Sequence, residues 1–170
     1  FSKSSGMSTN GASPSSANVK PTQGGGSGVS STTWDPVSDQ RIKSLDPRLQ
    51  QPTRNFINNT EDQLDTRLRV VQGYRSPAEQ DKLYAQGRTT PGPIVTNAKG
   101  GESYHNYGLA VDMVIMKDGK PDWNTPISTE IAAIGTAQGF SWGGNWTGDF
   151  KDLPHFDMTF GQSWQDLKNK

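Results

Sequence analysis

Cysteine is missing from this 170-residue chain. Its absence removes disulfides, thiolate nucleophiles and zinc-thiolate sites together, so any transition-metal site has to be assembled from His, Asp and Glu. Histidine is scarce as well, with only His105 and His155 in the whole chain. Neither sign of charge is in excess, since 17 Lys and Arg balance 17 Asp and Glu. That balance supplies no global electrostatic reason to expect nucleic acid or an anionic membrane as partner. No apolar run approaches the roughly 20 residues that a bilayer span needs, so no membrane insertion is expected. The amino terminus shows no basic segment leading into an apolar core, so no secretory signal is visible. Phe1 to Gly6, ahead of Met7, read equally well as a cloning scar or as part of a longer chain.

Large apolar residues are nearly absent from residues 1–33, where Ser, Gly, Thr, Asn and Pro dominate. Such a stretch cannot bury enough surface to offset its ordering entropy, and it reads as a flexible tether or tag. The folded domain is expected over 34–170. "DPVSDQRIKSL" and "DPRLQQPTRNFINNTEDQ" each open with Asp-Pro, a helix cap followed by a residue preset for the first turn. Two helices are expected, the second irregular at Pro52. "RLRVVQGYR" suits a short strand, and "SPAEQDKLYAQG" carries a full helix signature from Ser76 through Pro77 and Glu79 to Gly87. The Gly- and Pro-rich stretch to Ser103 is expected to be an irregular loop that serves a site.

"GLAVDMVIM" reads as a buried strand, followed by an Asp-Gly turn signal in "KDGK". "ISTEIAAIGTAQGF" places Ile127, Ile131 and Ile134 on one helical face and stops at Gly139. "HFDMTF" alternates, so Phe156, Met158 and Phe160 are expected to pack while His155, Asp157 and Thr159 face away. Helices first and mostly antiparallel strands later predict an α+β domain, a small sheet flanked by helices.

Both histidines stand near carboxylates. His105 precedes the strand that contains Asp112, and His155 follows Asp152 by three residues. An aspartate inside an apolar strand needs a partner such as a cation. Two imidazoles and one carboxylate would leave zinc's fourth position for water, the arrangement of a catalytic site, and imidazole favours zinc over magnesium or calcium. Each histidine taken alone reads equally as a hydrogen-bonded core or surface residue, and Asp152 as a solvated turn residue.

"SYHNYGLAVD" and "DLPHF" resemble the Ser-x-His-x-x-Gly-x-Ala-x-Asp and Asp/Glu-x-x-His patterns of the zinc D-alanyl-D-alanine carboxypeptidase and L-alanyl-D-glutamate endopeptidase superfamily. With "GYRSPAEQDKLYAQGRT" and "FSWGGNWTGDFKDLPHFDM", the likeness covers roughly residues 36–165 and is nearest to the L-alanyl-D-glutamate peptidases of phage endolysins and related bacterial wall hydrolases. The resemblance implies a hedgehog/DD-peptidase-like fold with the zinc site in a cleft on the sheet. It implies one zinc held by His105, Asp112 and His155, with Asp152 as general base and Arg75 stabilising the oxyanion. The vancomycin-resistance dipeptidases have Glu where Asp152 stands. Ser103 matches a serine near the substrate, while Tyr107 and Trp146 read either as packing or as cleft walls, and Trp142 as core.

The implied activity is hydrolysis of bacterial peptidoglycan at the stem peptide, between L-Ala and D-Glu, by water activated at the zinc. The alternatives are a D-alanyl-D-alanine carboxypeptidase, or a non-catalytic wall-binding or tail structural module. The site of action would be the cell wall or periplasm. Without a visible secretory signal, delivery would follow lysis or use a phage tail or contractile secretion apparatus as carrier, joined through the amino-terminal segment.

Overall fold

The computed structural model describes residues 30–170. The tether expected over 1–33 lies, as far as residue 29, outside the described residues. Both Asp-Pro pairs open helices, α1 at Pro36–Ile42 and α2 at Pro47–Leu64. The Asp35 side chain accepts from the Val37 and Ser38 amides and the Asp46 side chain from the Arg48 amide, first-turn groups that have no partner within the helix. The irregularity expected at Pro52 is not present, because α2 runs straight through it. Pro52 lies in the second turn, where its missing amide removes one hydrogen bond. Fully buried Leu49, Phe56 and Ile57 hold the helix to the core on either side of it.

β1 follows at Leu68–Gln72 and α3 at Pro77–Ala85, the latter closed by a reciprocal capping box between Ser76 and Glu79. Gly87 turns the chain away with φ +84°. Residues 88–103 are irregular, and a 3-10 turn at Tyr104–Tyr107 leads into β2 at Ala110–Lys117. Asp118 and Gly119 both take positive φ, as a tight hairpin requires, and return the chain as β3 at Lys120–Pro121. α4 spans Thr129–Ala137, β4 Ser141–Trp142, β5 His155–Asp157 and α5 Trp164–Lys168. No described helix is long and apolar enough to cross a membrane.

The sheet runs β1-β2-β5-β4 with β3 on β2, antiparallel throughout, which is the α+β arrangement expected. Val70, Val111, Met113 and Phe156 form its core face and join Phe56, Ile57 and Ile131 from the helices. Phe156 meets Phe56 edge to face with ring centroids 4.8 Å apart. β5 is shorter than the alternation of "HFDMTF" suggests. It ends at Asp157, and Phe160 takes φ +52° and turns outward, 48% exposed, with the Arg48 guanidinium 3.9 Å above its ring.

Asp35 ties α1 to β1. Its carboxylate accepts from the Val37 and Ser38 amides and the Ser38 hydroxyl, and it takes a two-pronged hydrogen bond from Arg69 at 2.8 and 2.9 Å. Burial pushes its carboxyl up, but the Arg69, Ser38 and Val37 hydrogen bonds outweigh this and hold it below the ordinary aspartate value. A depressed folded-state pKa means stability that is present above the unfolded value and lost as pH falls through the folded one. Asp35→Ala is therefore expected to cost about 2–3 kcal/mol at pH 7 in urea unfolding. The gap from the parent should close as the pH is lowered below about 4.

Candidate metal centre

Strand alternation sends Val111 and Met113 of β2 to the core and Asp112 to the opposite face, and it sends Phe156 of β5 to the core while His155 and Asp157 face Asp112's side. The antiparallel register places Asp112 directly across from His155. Opposed residues on one face have Cβ atoms about 4.5–5.5 Å apart, so the carboxylate and the imidazole meet as a consequence of register. His105 arrives from the 3-10 turn that precedes β2. Its Nε2 and the Nδ1 of His155 lie 3.3 and 3.4 Å from Asp112 Oδ1. One donor atom from each of the three lies within 4.8 Å of the others, and no other group of this kind occurs among the described residues.

The outer nitrogen of each imidazole is already engaged. His105 Nδ1 is 2.9 Å from the Gly73 carbonyl, and His155 Nε2 is 2.7 Å from Asp157 Oδ2. Partners of this kind fix the tautomer and present the inner nitrogen as a ligand. Asp112 Oδ1 is buried without a hydrogen bond of acceptable geometry, although two imidazole nitrogens face it. Burial pushes the Asp112 carboxyl up, yet the two histidines overcome this and hold it well below the usual carboxylate range. Burial pulls the His155 imidazole down, but Asp112 and Asp157 push it up to about 9. Two imidazoles and an orphaned carboxylate oxygen, turned toward one point that favours positive charge, fit a zinc-type cation.

Arg75 stands beside this group, bound to its scaffold at several points. Its amide donates to the His105 carbonyl and its carbonyl accepts from Asn106 Nδ2, both at 2.9 Å. Its Nη1 donates to Gln80 Oε1, and its buried Nε has no partner. Burial lowers the guanidinium's pKa, while Asp112, Glu79 and Asp152 act in the opposite direction. Ser103 caps the His105 turn by accepting from the His105 amide. Asn106 Oδ1 accepts from the Gly101 and Ser103 amides and closes the loop around it.

Asp152 lies at the other edge of the centre, partly buried. Burial raises its carboxyl pKa and so does the Asp112 charge, against the lowering effect of His155, His105 and Arg75. A carboxyl raised in this way beside a charged cluster is suited to exchanging protons. Its backbone is pinned, since its amide donates to the Gly143 carbonyl and its own carbonyl accepts from the His155 amide. A Cβ on Gly143 would lie 2.1 Å from the Asp152 carbonyl oxygen, so only glycine permits this approach. Trp142 is core, with its Nε1 donating to the Leu153 carbonyl. Trp146 is 37% exposed, 5.2 Å from the His155 ring and 5.7 Å from Phe150, and so forms a wall of the centre. Tyr107 packs on the core and spends its hydroxyl on the Gly101 carbonyl.

Three contributors were not singled out from the sequence. Asp157 shows only as a polar position in an alternating strand, and Asn106 as one of several loop asparagines. Gln80, fully buried in α3, accepts from Arg75 and donates to Thr96 Oγ1 and the Ala98 carbonyl. A glutamine on a helix of weak amphipathic pattern carries no sequence signal for that role.

Known proteins resemble this chain in sequence and in fold. Residues 96–158 match the sequence model of a family described as D-alanyl-D-alanine carboxypeptidase. CwlK of Bacillus subtilis (strain 168), a peptidoglycan L-alanyl-D-glutamate endopeptidase, is 46% identical over an alignment of 104 residues that covers 52% of this chain and 59% of that protein. An L-alanyl-D-glutamate peptidase of Listeria phage A118 is 38% identical over 61 residues, 34% of this chain and 21% of that one. The chain therefore matches less than two thirds of the length of either relative. The crystal structure of ChiX, an L-Ala D-Glu endopeptidase of Serratia marcescens, superposes with a TM-score of 0.57 at 26% identity, covering 76% of this chain and 92% of that chain. The resemblance carried by the quoted motifs is thus borne out.

Proposed function

We propose that this chain, similar to D-alanyl-D-alanine carboxypeptidases and L-alanyl-D-glutamate endopeptidases, is a zinc-dependent peptidase of bacterial peptidoglycan that cuts the stem peptide between L-Ala and D-Glu. The observation that carries this reading is the His105, Asp112 and His155 cluster, flanked on its edges by Asp152 and Arg75. His105, Asp112 and His155 would hold the zinc, with Gly73 and Asp157 orienting the two imidazoles. When bound, zinc supplies a Lewis acid that polarises the scissile carbonyl and makes its water acidic. Asp152 takes a proton from the attacking water and passes it to the leaving amine. The Arg75 guanidinium, with a free Nε, stabilises the charge that develops on the carbonyl oxygen.

Gln80 aims that guanidinium. Gln80→Met keeps the helix and the side-chain volume but removes the acceptor for Arg75. It is expected to lower turnover by about 10–100-fold with zinc content unchanged, because small misplacements of a charge-stabilising group are that costly. Steady-state kinetics beside metal analysis of the purified variant checks it.

The family described as D-alanyl-D-alanine carboxypeptidase favours a second reading, removal of a terminal D-Ala. Mass spectrometry of the soluble products from purified peptidoglycan, with and without a chelator, separates the two. Peptides beginning with D-Glu and released only with metal support the endopeptidase. Loss of a single D-Ala supports the carboxypeptidase, and no product from a zinc-loaded sample sinks both.

A further inference from the structure

A groove of about 300 Å³ opens beside the centre, with Asp152 in its wall, and runs between Lys151, Leu153 and Pro154 on one side and Trp123 and Ile127 on the other. Its floor is held in place. The Pro154 carbonyl accepts from the Met113 amide at 2.9 Å, and the Leu153 carbonyl accepts from Trp142 Nε1 at 2.7 Å. Trp123 is 67% exposed and offers an indole face to whatever enters. Three charged side chains line the groove, and Asp122 is already committed to the Asn124 amide and the Thr125 hydroxyl. Lys151 is the one cation. Its ammonium rests on the Trp146 carbonyl, and among the described residues it forms no ion pair.

Direction along the groove follows from the chemistry. The group that hands a proton to the leaving amine has to lie on the side of the scissile bond where that amine departs. Asp152 is that group in the proposed function, on which this inference rests, so the groove that Asp152 lines is the one that would receive the substrate from the new amino terminus onward. In a chain cut between L-Ala and D-Glu, that first residue is glutamate. Whichever of its carboxyls continues the chain, the other lies outside it and is anionic unless it is amidated.

The geometry points to this groove as the subsite for the leaving segment of the stem peptide, with Lys151 pairing with the free carboxylate of D-Glu and Trp123 covering the residue that follows. The enzyme would thereby distinguish a stem with a free glutamate carboxylate from one in which that carboxyl is an amide.

Two synthetic stem peptides, identical except that this carboxyl is free in one and a carboxamide in the other, test it with the zinc-loaded full chain. The parent protein is expected to favour the acid by about fivefold in kcat/KM, the range of a solvent-accessible charge pair, with the preference shrinking at high salt. Lys151→Met should bring the acid down to the level of the amide, removing the preference between them, and Lys151→Arg should restore most of it. Equal cleavage of both peptides by the parent, or an equal loss on both in Lys151→Met, overturns the subsite and leaves the endopeptidase reading standing. Cleavage of neither, with D-Ala released from a pentapeptide, overturns that reading and the subsite with it.

Discussion

Asp152→Asn is expected to bind one zinc per chain and to lose turnover by about 10²–10⁴-fold, the usual range for removal of a general base. The two halves of this expectation come from different parts of the site. Zinc is retained because the three donors that converge belong to His105, Asp112 and His155, and the two imidazoles are oriented by the Gly73 carbonyl and Asp157 rather than by the Asp152 side chain. Turnover falls because an amide can neither accept the water proton nor deliver it to the amine. The substitution nearly preserves shape, and the backbone bonds from Asp152 to Gly143 and from His155 to Asp152 do not involve the side chain. Metal analysis and steady-state kinetics on peptidoglycan check it, and full activity would remove Asp152 from the base role.

His155→Ala is expected to abolish both stoichiometric zinc and activity. The change removes an inner donor and leaves Asp157 without the partner 2.7 Å from its carboxylate. Asp157→Asn provides the graded counterpart. It leaves all three donors in place but weakens the hold on the His155 ring, so zinc affinity should fall by about 10–100-fold while saturating zinc restores most turnover. Competition against a chromophoric chelator measures both variants. A His155→Ala protein that still carries one tight zinc would show that the donor set is wrong. An Asp157→Asn protein with unchanged affinity would reduce Asp157 to a structural contact.

Much of the fold was legible because its signals are local. The Asp-Pro helix starts, the Ser76 and Glu79 capping box and the Asp118–Gly119 hairpin each depend on residues a few positions apart. The same alternation argument overran at β5. Period-two hydrophobicity continues through Phe160, but strand length also depends on having neighbours to pair with, and pairing stops at Asp157. Pro52 misled in the opposite direction, since the burial of α2 outweighs the one hydrogen bond it loses. Trp146 was undecidable from sequence, because exposure beside His155 depends on how the 3-10 turn at Gly143–Asn145 is folded against the Asp152 loop.

The sequence by itself determined which chemistry was open to this protein. Without cysteine, and with two histidines each near a carboxylate, a metal site could be built in few ways, and residue type decides ligand type. Only the tertiary structure decided that those residues meet. Asp112 and His155 are 43 positions apart, and a one-residue slip between β2 and β5 would turn one of them into the core. The partners that aim the site, Gly73 for His105, Asp157 for His155 and Gln80 for Arg75, were likewise set by packing between separate elements. Hydrogen bonds act over about 3 Å in space and carry no trace along the chain.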